Sequence, residues 1–222
     1  LLATLPFEGN EGAPILSRLA CSETLVAAAG AEKHNAGGAL TRRVRVWRHS
    51  SDEHAGQIQS TTLHFSSGAL AVALRPGCEE LVVGTADGAV HIFASPLDDP
   101  DGGRVLDAGD VAGAAPRLSG SQEIPEIGGQ ALIGDKRVEG VVISLRLSHD
   151  GTLLLVGRIY DCFALYDLGT GVVVSRVATS SSRANIVEFS PADDMILVDN
   201  GSDSVTLHEV KPPVPVRKLS ME

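Results

Sequence analysis

Three stretches of the chain share one spacing, and that shared frame constrains the fold more than any other property of the sequence. The first runs Leu74-Arg75-Pro76, then Leu81-Val82-Val83, then Val90-His91-Ile92-Phe93. The second runs Leu147-Ser148-His149, Leu154-Leu155-Val156 and Phe163-Ala164-Leu165-Tyr166. The third runs Phe189-Ser190-Pro191, Ile196-Leu197-Val198 and Val205-Thr206-Leu207-His208. In each, a turn residue lies 18 positions before the residue that ends the last segment, and an apolar triplet begins six positions after the turn residue. A degraded copy precedes them: Leu19-Ala20-Cys21, Leu25-Val26 and Val44-Arg45-Val46-Trp47. Its longer interval, 26 from Cys21 to Trp47, is taken up by the Gly/Ala/Asn stretch from Gly30 to Leu40, which reads as a loop.

The patterning inside the units is that of β-strands. Val44, Val46, Val90, Ile92, Phe163, Leu165, Val205 and Leu207 recur at period two, which buries one face of a strand. The triplets Leu81–Val83, Leu154–Val156 and Ile196–Val198 do not alternate and predict inner strands buried on both faces. Ser148-His149-Asp150-Gly151 and Asp87-Gly88 supply turn chemistry between strands. A fourth strand candidate precedes the turn-bearing strand of a unit at Leu2–Pro6, Gln59–Phe65 and Val172–Val177, and a last one follows the final unit at Val214–Leu219. A four-stranded antiparallel unit of about 42 residues has the period of a propeller blade, and one blade cannot cover its own faces.

The residues that end and turn these strands resemble those of the WD-repeat β-propeller family. Thr85-Ala86-Asp87-Gly88-Ala89-Val90-His91-Ile92-Phe93 carries the resemblance best, with Asp87 six residues before the closing aromatic. Phe189-Ser190-Pro191-Ala192-Asp193, Leu147-Ser148-His149-Asp150-Gly151 and Leu165-Tyr166-Asp167 carry it elsewhere. The chain departs from the pattern in having no Gly-His dipeptide and only one aromatic–Asp strand end, while Asp161 and Asp203 stand one residue nearer the strand end. The resemblance implies an all-β propeller of four-stranded antiparallel blades, about four in this chain, with blades over 1–49, 57–96, 138–168 and 172–210. Residues 214–219 then start a further blade. Because the family usually closes with seven blades, it also implies a partial or interrupted propeller, completed by residues outside this sequence or by a partner chain; closure on four blades is the alternative.

Between the second and third units the spacing is 31 residues longer than between the third and fourth. The excess falls in Leu97–Arg137, which carries eight acidic and four basic residues, eight glycines and three prolines, and predicts a solvated, mobile insertion loop. Within it Ile124, Ile127, Leu132 and Ile133, flanked by Glu123 and Glu126, are candidates to dock on a partner and order on binding.

Composition narrows the function classes. The 222 residues make one large domain or at most two, and 43% hydrophobic residues can build a core. A net charge of −10 argues against direct nucleic-acid binding, which depends on surplus Lys and Arg at the phosphates. Aromatics at 4% beside 24 glycines suit short strands and turns. No uninterrupted apolar run reaches the length of a membrane-spanning helix. Cys21, Cys78 and Cys162 are odd in number, far apart and without a CxxC pair, so they read as buried, hydrophobe-like thiols in a reducing compartment, cytoplasmic or nuclear. The opening Leu1-Leu2-Ala3, with neither Met nor a basic region, reads as a processed product or an excerpt of a longer chain.

No residue pattern points to catalysis. The seven histidines show no HxxxH or HExxH spacing, so no metal is expected. Ser121 lies in the insertion without a strand before it, which does not make a nucleophile elbow, and no Gly-rich phosphate cradle implies a cofactor. Asn200-Gly201-Ser202 matches a glycosylation sequon but reads as a plain turn. Asp87 reads as a turn carboxylate bonded to backbone N–H groups. The pair Arg42-Arg43 reads as a solvated loop base, since Thr41 and Val44 flank it where phosphoinositide-binding propellers carry Phe/Leu and Gly. The resulting expectation is a non-enzymatic scaffold or adaptor that holds other proteins in a multiprotein assembly. Arg42, Arg43 and Arg75 are candidate contacts, and Trp47 reads as core. The alternatives are a hydrolase-type propeller enzyme working through a central channel, which the apolar inner triplets disfavour, and a phosphoinositide-binding propeller.

Overall fold

A computed structural model describes residues 15–33, 40–48, 59–65, 67–106, 132–133, 136–137, 140–158, 162–178, 186–199, 204–210 and 215–220. Sixteen of its strands form four antiparallel sheets of four. The first contains β1 (Ile15–Cys21), β2 (Leu25–Lys33), β3 (Leu40–Arg48) and β4 (Gln59–His64). The second contains β5 (Ala69–Leu74), β6 (Leu81–Thr85), β7 (Val90–Phe93) and β8 (Arg104–Leu106). A two-stranded hairpin, β9 (Leu132–Ile133) with β10 (Lys136–Arg137), precedes the third sheet, β11 (Val142–Leu147), β12 (Leu153–Arg158), β13 (Cys162–Asp167) and β14 (Val173–Ala178). The fourth contains β15 (Ile186–Phe189), β16 (Met195–Asp199), β17 (Ser204–Glu209) and β18 (Pro215–Ser220). Every sheet is a meander in chain order, as short antiparallel connections require.

The repeat seen in the sequence is a repeat of register. Val26 faces Trp47, Leu81 faces Phe93, Leu154 faces Tyr166 and Ile196 faces His208, each pair between the second and third strand of its sheet. All four strand-end residues are buried. The first turns repeat as well: the backbone N–H of Arg75, Ser148 and Ser190 donates to the carbonyl five residues on, at 2.9, 3.0 and 2.9 Å. The Ser148 and Ser190 hydroxyl oxygens also accept the N–H of Leu153 and Met195, at 2.9 and 3.1 Å, and so fix where the second strand starts. Gly151 closes its turn at φ 69°, a left-handed conformation that glycine adopts without steric cost.

Three core clusters join the sheets in sequence. Leu25, Ala27, Val44 and Val46 of the first sheet pack against Ala69, Val72, Leu81 and Val83 of the second. Val82, Val90 and Ile92 on the other side of the second sheet pack against Val142, Leu145, Leu154 and Tyr166 of the third. Leu155, Phe163 and Leu165 then meet Val187, Ile196 and Val198 of the fourth. No cluster among the described residues joins the fourth sheet to the first. The effect is plain at one repeat position: Val82 and Leu155 are 0% exposed, whereas Leu197 is 39% exposed, with no further sheet over it among the described residues. The expectation that all three triplets are buried on both faces therefore holds for the second and third sheets and fails at Leu197. The third strand of the third sheet departs in the opposite sense: Phe163, Ala164, Leu165 and Tyr166 are all buried, with apolar clusters against both neighbouring sheets.

Strand pairing corrects the boundaries read from the sequence. Gln59–His64 pairs with β3, Val173–Ala178 with β13 and Pro215–Ser220 with β17, so each is the last strand of the sheet before it. The strand near 214–219 thus completes the fourth sheet and does not begin another. Part of the stretch read as an insertion is structural too: Arg104–Leu106 pairs with β7 as the fourth strand of the second sheet. Period and offset locate strands but leave open which neighbour the outermost one joins, since its hydrogen bonds are non-local. Residues 2–6, Ile124 and Ile127, Asp161, Asp203 and the Asn200 sequon lie outside the described residues.

Close packing between sheets needs small residues where backbones meet. Gly84 on β6 and Gly157 on β12 follow their triplets directly, and a Cβ on either would meet Val142 or Val187 of the next sheet. At Gly84 the added carbon would overlap the Val142 side chain outright. Replacing Gly84 with Val should destabilise the fold by about 1–3 kcal/mol, read as a lowered urea midpoint at unchanged m-value. Gly77→Ala, where the added carbon meets nothing within 4 Å but φ is +71°, reports backbone strain without a packing clash.

Candidate functional site

The end of β4 and the β6–β8 part of the second sheet border an open pocket of about 520 Å³. His64 and Phe65 enter from the end of β4, and Ser67 from the link to the second sheet. Asp87 and Ala89 come from the β6–β7 turn, His91 and Phe93 from β7, Pro100, Asp101 and Gly103 from the β7–β8 connection, and Val105 from β8. Period-two alternation on β7 puts His91 and Phe93 on one face. Phe65 lies edge-on to both, with ring centroids 5.1 Å from His91 and 6.2 Å from Phe93.

The turn that carries Asp87 is tightly bonded. The Thr85 hydroxyl donates to Asp87 Oδ1 at 2.5 Å and the Ala89 N–H donates to the same oxygen at 3.4 Å. Burial pushes the Asp87 carboxyl up, but hydrogen bonds from Thr85, from Ser67 and from the backbone more than offset it and hold the group below its ordinary range. The turn carboxylate expected from the sequence is thus present, and Ser67 supplies a hydroxyl donor from the linker ahead of the sheet. Burial lowers His91, with Asp87 opposing the shift. His91 is half-buried in the pocket wall.

The sites singled out in the sequence do not converge. Arg42 and Arg43 sit inside β3, hydrogen-bonded to β2, and not at a loop base; Arg43 is half-buried. Arg75 follows β5, pairs with Glu80 at 3.6 Å and packs beside Gly151 of the third sheet. Leu132 and Ile133 form β9. Trp47 is buried, as expected of a core residue. Cys21 and Cys78 are exposed, contrary to the buried-thiol reading, because one ends β1 and the other lies in the β5–β6 turn. Among the described residues, no three of His, Cys, Asp and Glu gather to hold a metal ion. The cavity residues escaped sequence reading because they come from two units; the paired aromatics at Phe65 and Phe93 were the available signal.

His91 and His208 give the fold a pH dependence. Burial lowers both below the ordinary histidine range, His208 packing edge-on against Phe163 with centroids 5.0 Å apart. A lowered folded-state pKa means that the unfolded chain binds more protons below about pH 6.5, so this stability is present above that pH and lost as pH falls. The urea midpoint should drop between pH 7 and pH 5, and His208→Phe should shrink that drop.

No family model matches the sequence, and no curated protein matches it in sequence. Solved structures match in fold. A chain in the crystal structure of the mitotic checkpoint complex superposes with a TM-score of 0.61 at 13% identity, over 93% of this chain and 52% of that one. The WD40 domain of coronin from Toxoplasma gondii superposes with a TM-score of 0.59 at 13% identity, over 90% of this chain and 44% of that one. The chain therefore spans about half the length of these structures. Its four stacked sheets have the WD40 β-propeller fold.

Proposed function

We propose that these WD40-type sheets form a non-enzymatic platform that binds other proteins within a multiprotein assembly, in the cytoplasm or nucleus. The observation that carries the reading is the fold likeness over 93% of the chain, one of the similar structures being that of a multiprotein complex. The physical support is rigidity. Core clusters lock each sheet to the next, and polar ties reinforce them at the rims: Arg48 grips Glu79 through two nitrogens at 3.0 and 2.6 Å, and Arg146 holds Glu188 at 2.6 Å. A stiff scaffold lets turns and edges recognise partners at low ordering cost.

The test is co-purification of the tagged chain under native conditions, followed by mass measurement of the eluted species. Stoichiometric protein partners that survive a second sizing step are expected. A chain that elutes alone, and turns over substrates in an unbiased hydrolase screen, would instead favour the enzyme reading.

A further inference from the structure

The cavity between the first two sheets has a chemistry of its own. Among the described residues its lining contains two carboxylates, Asp87 and Asp101, and neither Lys nor Arg. Asp101 is exposed at the β7–β8 connection and has no partner among the described residues. Asp87 is oriented by its own turn and brings a fixed negative charge to the wall. Phe65 and the His91 ring, both half-buried, supply aromatic surface with Phe93 buried behind them, and Val105, 50% exposed, supplies aliphatic surface beside them. The pocket is open, and its volume can admit a partner's side chain.

An aromatic wall and unneutralised carboxylates together favour a cation carried on an apolar stem. Among protein side chains arginine fits best. Its planar guanidinium stacks on aromatic rings and can fork onto a carboxylate, while a lysine ammonium does neither as well. The chain's net charge of −10 would also draw a basic partner toward it. We propose that this cavity seats an arginine side chain of a protein partner, with its head at Asp101 and Asp87, its plane against the aromatic wall and its stem along Val105. The proposal rests on the platform reading and names the chemistry of one partner contact.

The test is amide NMR of the 222-residue chain titrated with N-acetyl-arginine methylamide, with the neutral isostere N-acetyl-citrulline methylamide and the lysine analogue as parallel arms. The arginine probe should give saturable shifts confined to amides around Asp87, Ala89, His91 and Gly103. Citrulline should give none, and lysine should bind more weakly. Asp101→Asn should weaken arginine binding about two- to fivefold, the range for an exposed ion pair, and Asp101→Lys should abolish it. The spectra report whether each variant is folded. Absent or scattered shifts, equal binding of citrulline or lysine, or binding unchanged in Asp101→Lys would overturn the proposal. Partners that still co-purify in that case would show that the platform reading survives and only the arginine seat has failed.

Discussion

A four-stranded sheet has two faces, and apolar side chains here occupy both. That is the constraint from which the rest of the architecture follows. In the second and third sheets, neighbouring sheets bury residues on either side, and glycine at positions 84 and 157 permits the close approach. The fourth sheet has, among the described residues, a neighbouring sheet on one face only. Ile186 and Leu197 are exposed, and β16 alternates between covered and open positions where β6 is buried throughout. Packing between sheets, more than pairing within one, sets which positions must be apolar.

Turns and rims then fix the geometry that packing alone leaves loose. Serine hydroxyls at positions 148 and 190 accept the N–H that opens the second strand, and each donates at 2.6 Å to a nearby aspartate. The Ser148 bond, with others from Thr152, holds the Asp150 carboxyl down to about 2. In the second sheet Arg75 stands at the serine position, so this turn keeps its backbone bond and loses the side-chain one. The Arg75 side chain instead reaches toward Gly151 of the third sheet. Similar ties recur between turns: the His149 N–H donates to Asp193 at 2.6 Å, and Arg104 donates to the Leu168 carbonyl at 2.7 Å.

Much of this was legible in the sequence. The offsets separating Arg75 from Phe93, Ser148 from Tyr166 and Ser190 from His208 correspond to real register equivalence, and the weaker first copy ending at Trp47 falls into the same frame. The outer strands were legible as strands but not as members of particular sheets, because nothing local distinguishes Gln59–His64 pairing backward from pairing forward. The cavity was not legible at all as a unit. Its walls come from β4, the β6–β7 turn and the β7–β8 connection, and only the packing of two sheets brings Phe65 to His91 and Phe93. Arg104–Leu106 was hidden by glycine- and aspartate-rich surroundings that read as loop.

Leu155 and Leu197 occupy the same repeat position on sheets that differ in having or lacking a further neighbour, so they isolate the contribution of stacking. The decisive measurement is the unfolding free energy of Leu155→Ala against that of Leu197→Ala in urea. Stacking of successive sheets predicts a loss of about 2–5 kcal/mol at Leu155, and a loss under about 1 kcal/mol at the open Leu197. Equal losses at the two positions would contradict it.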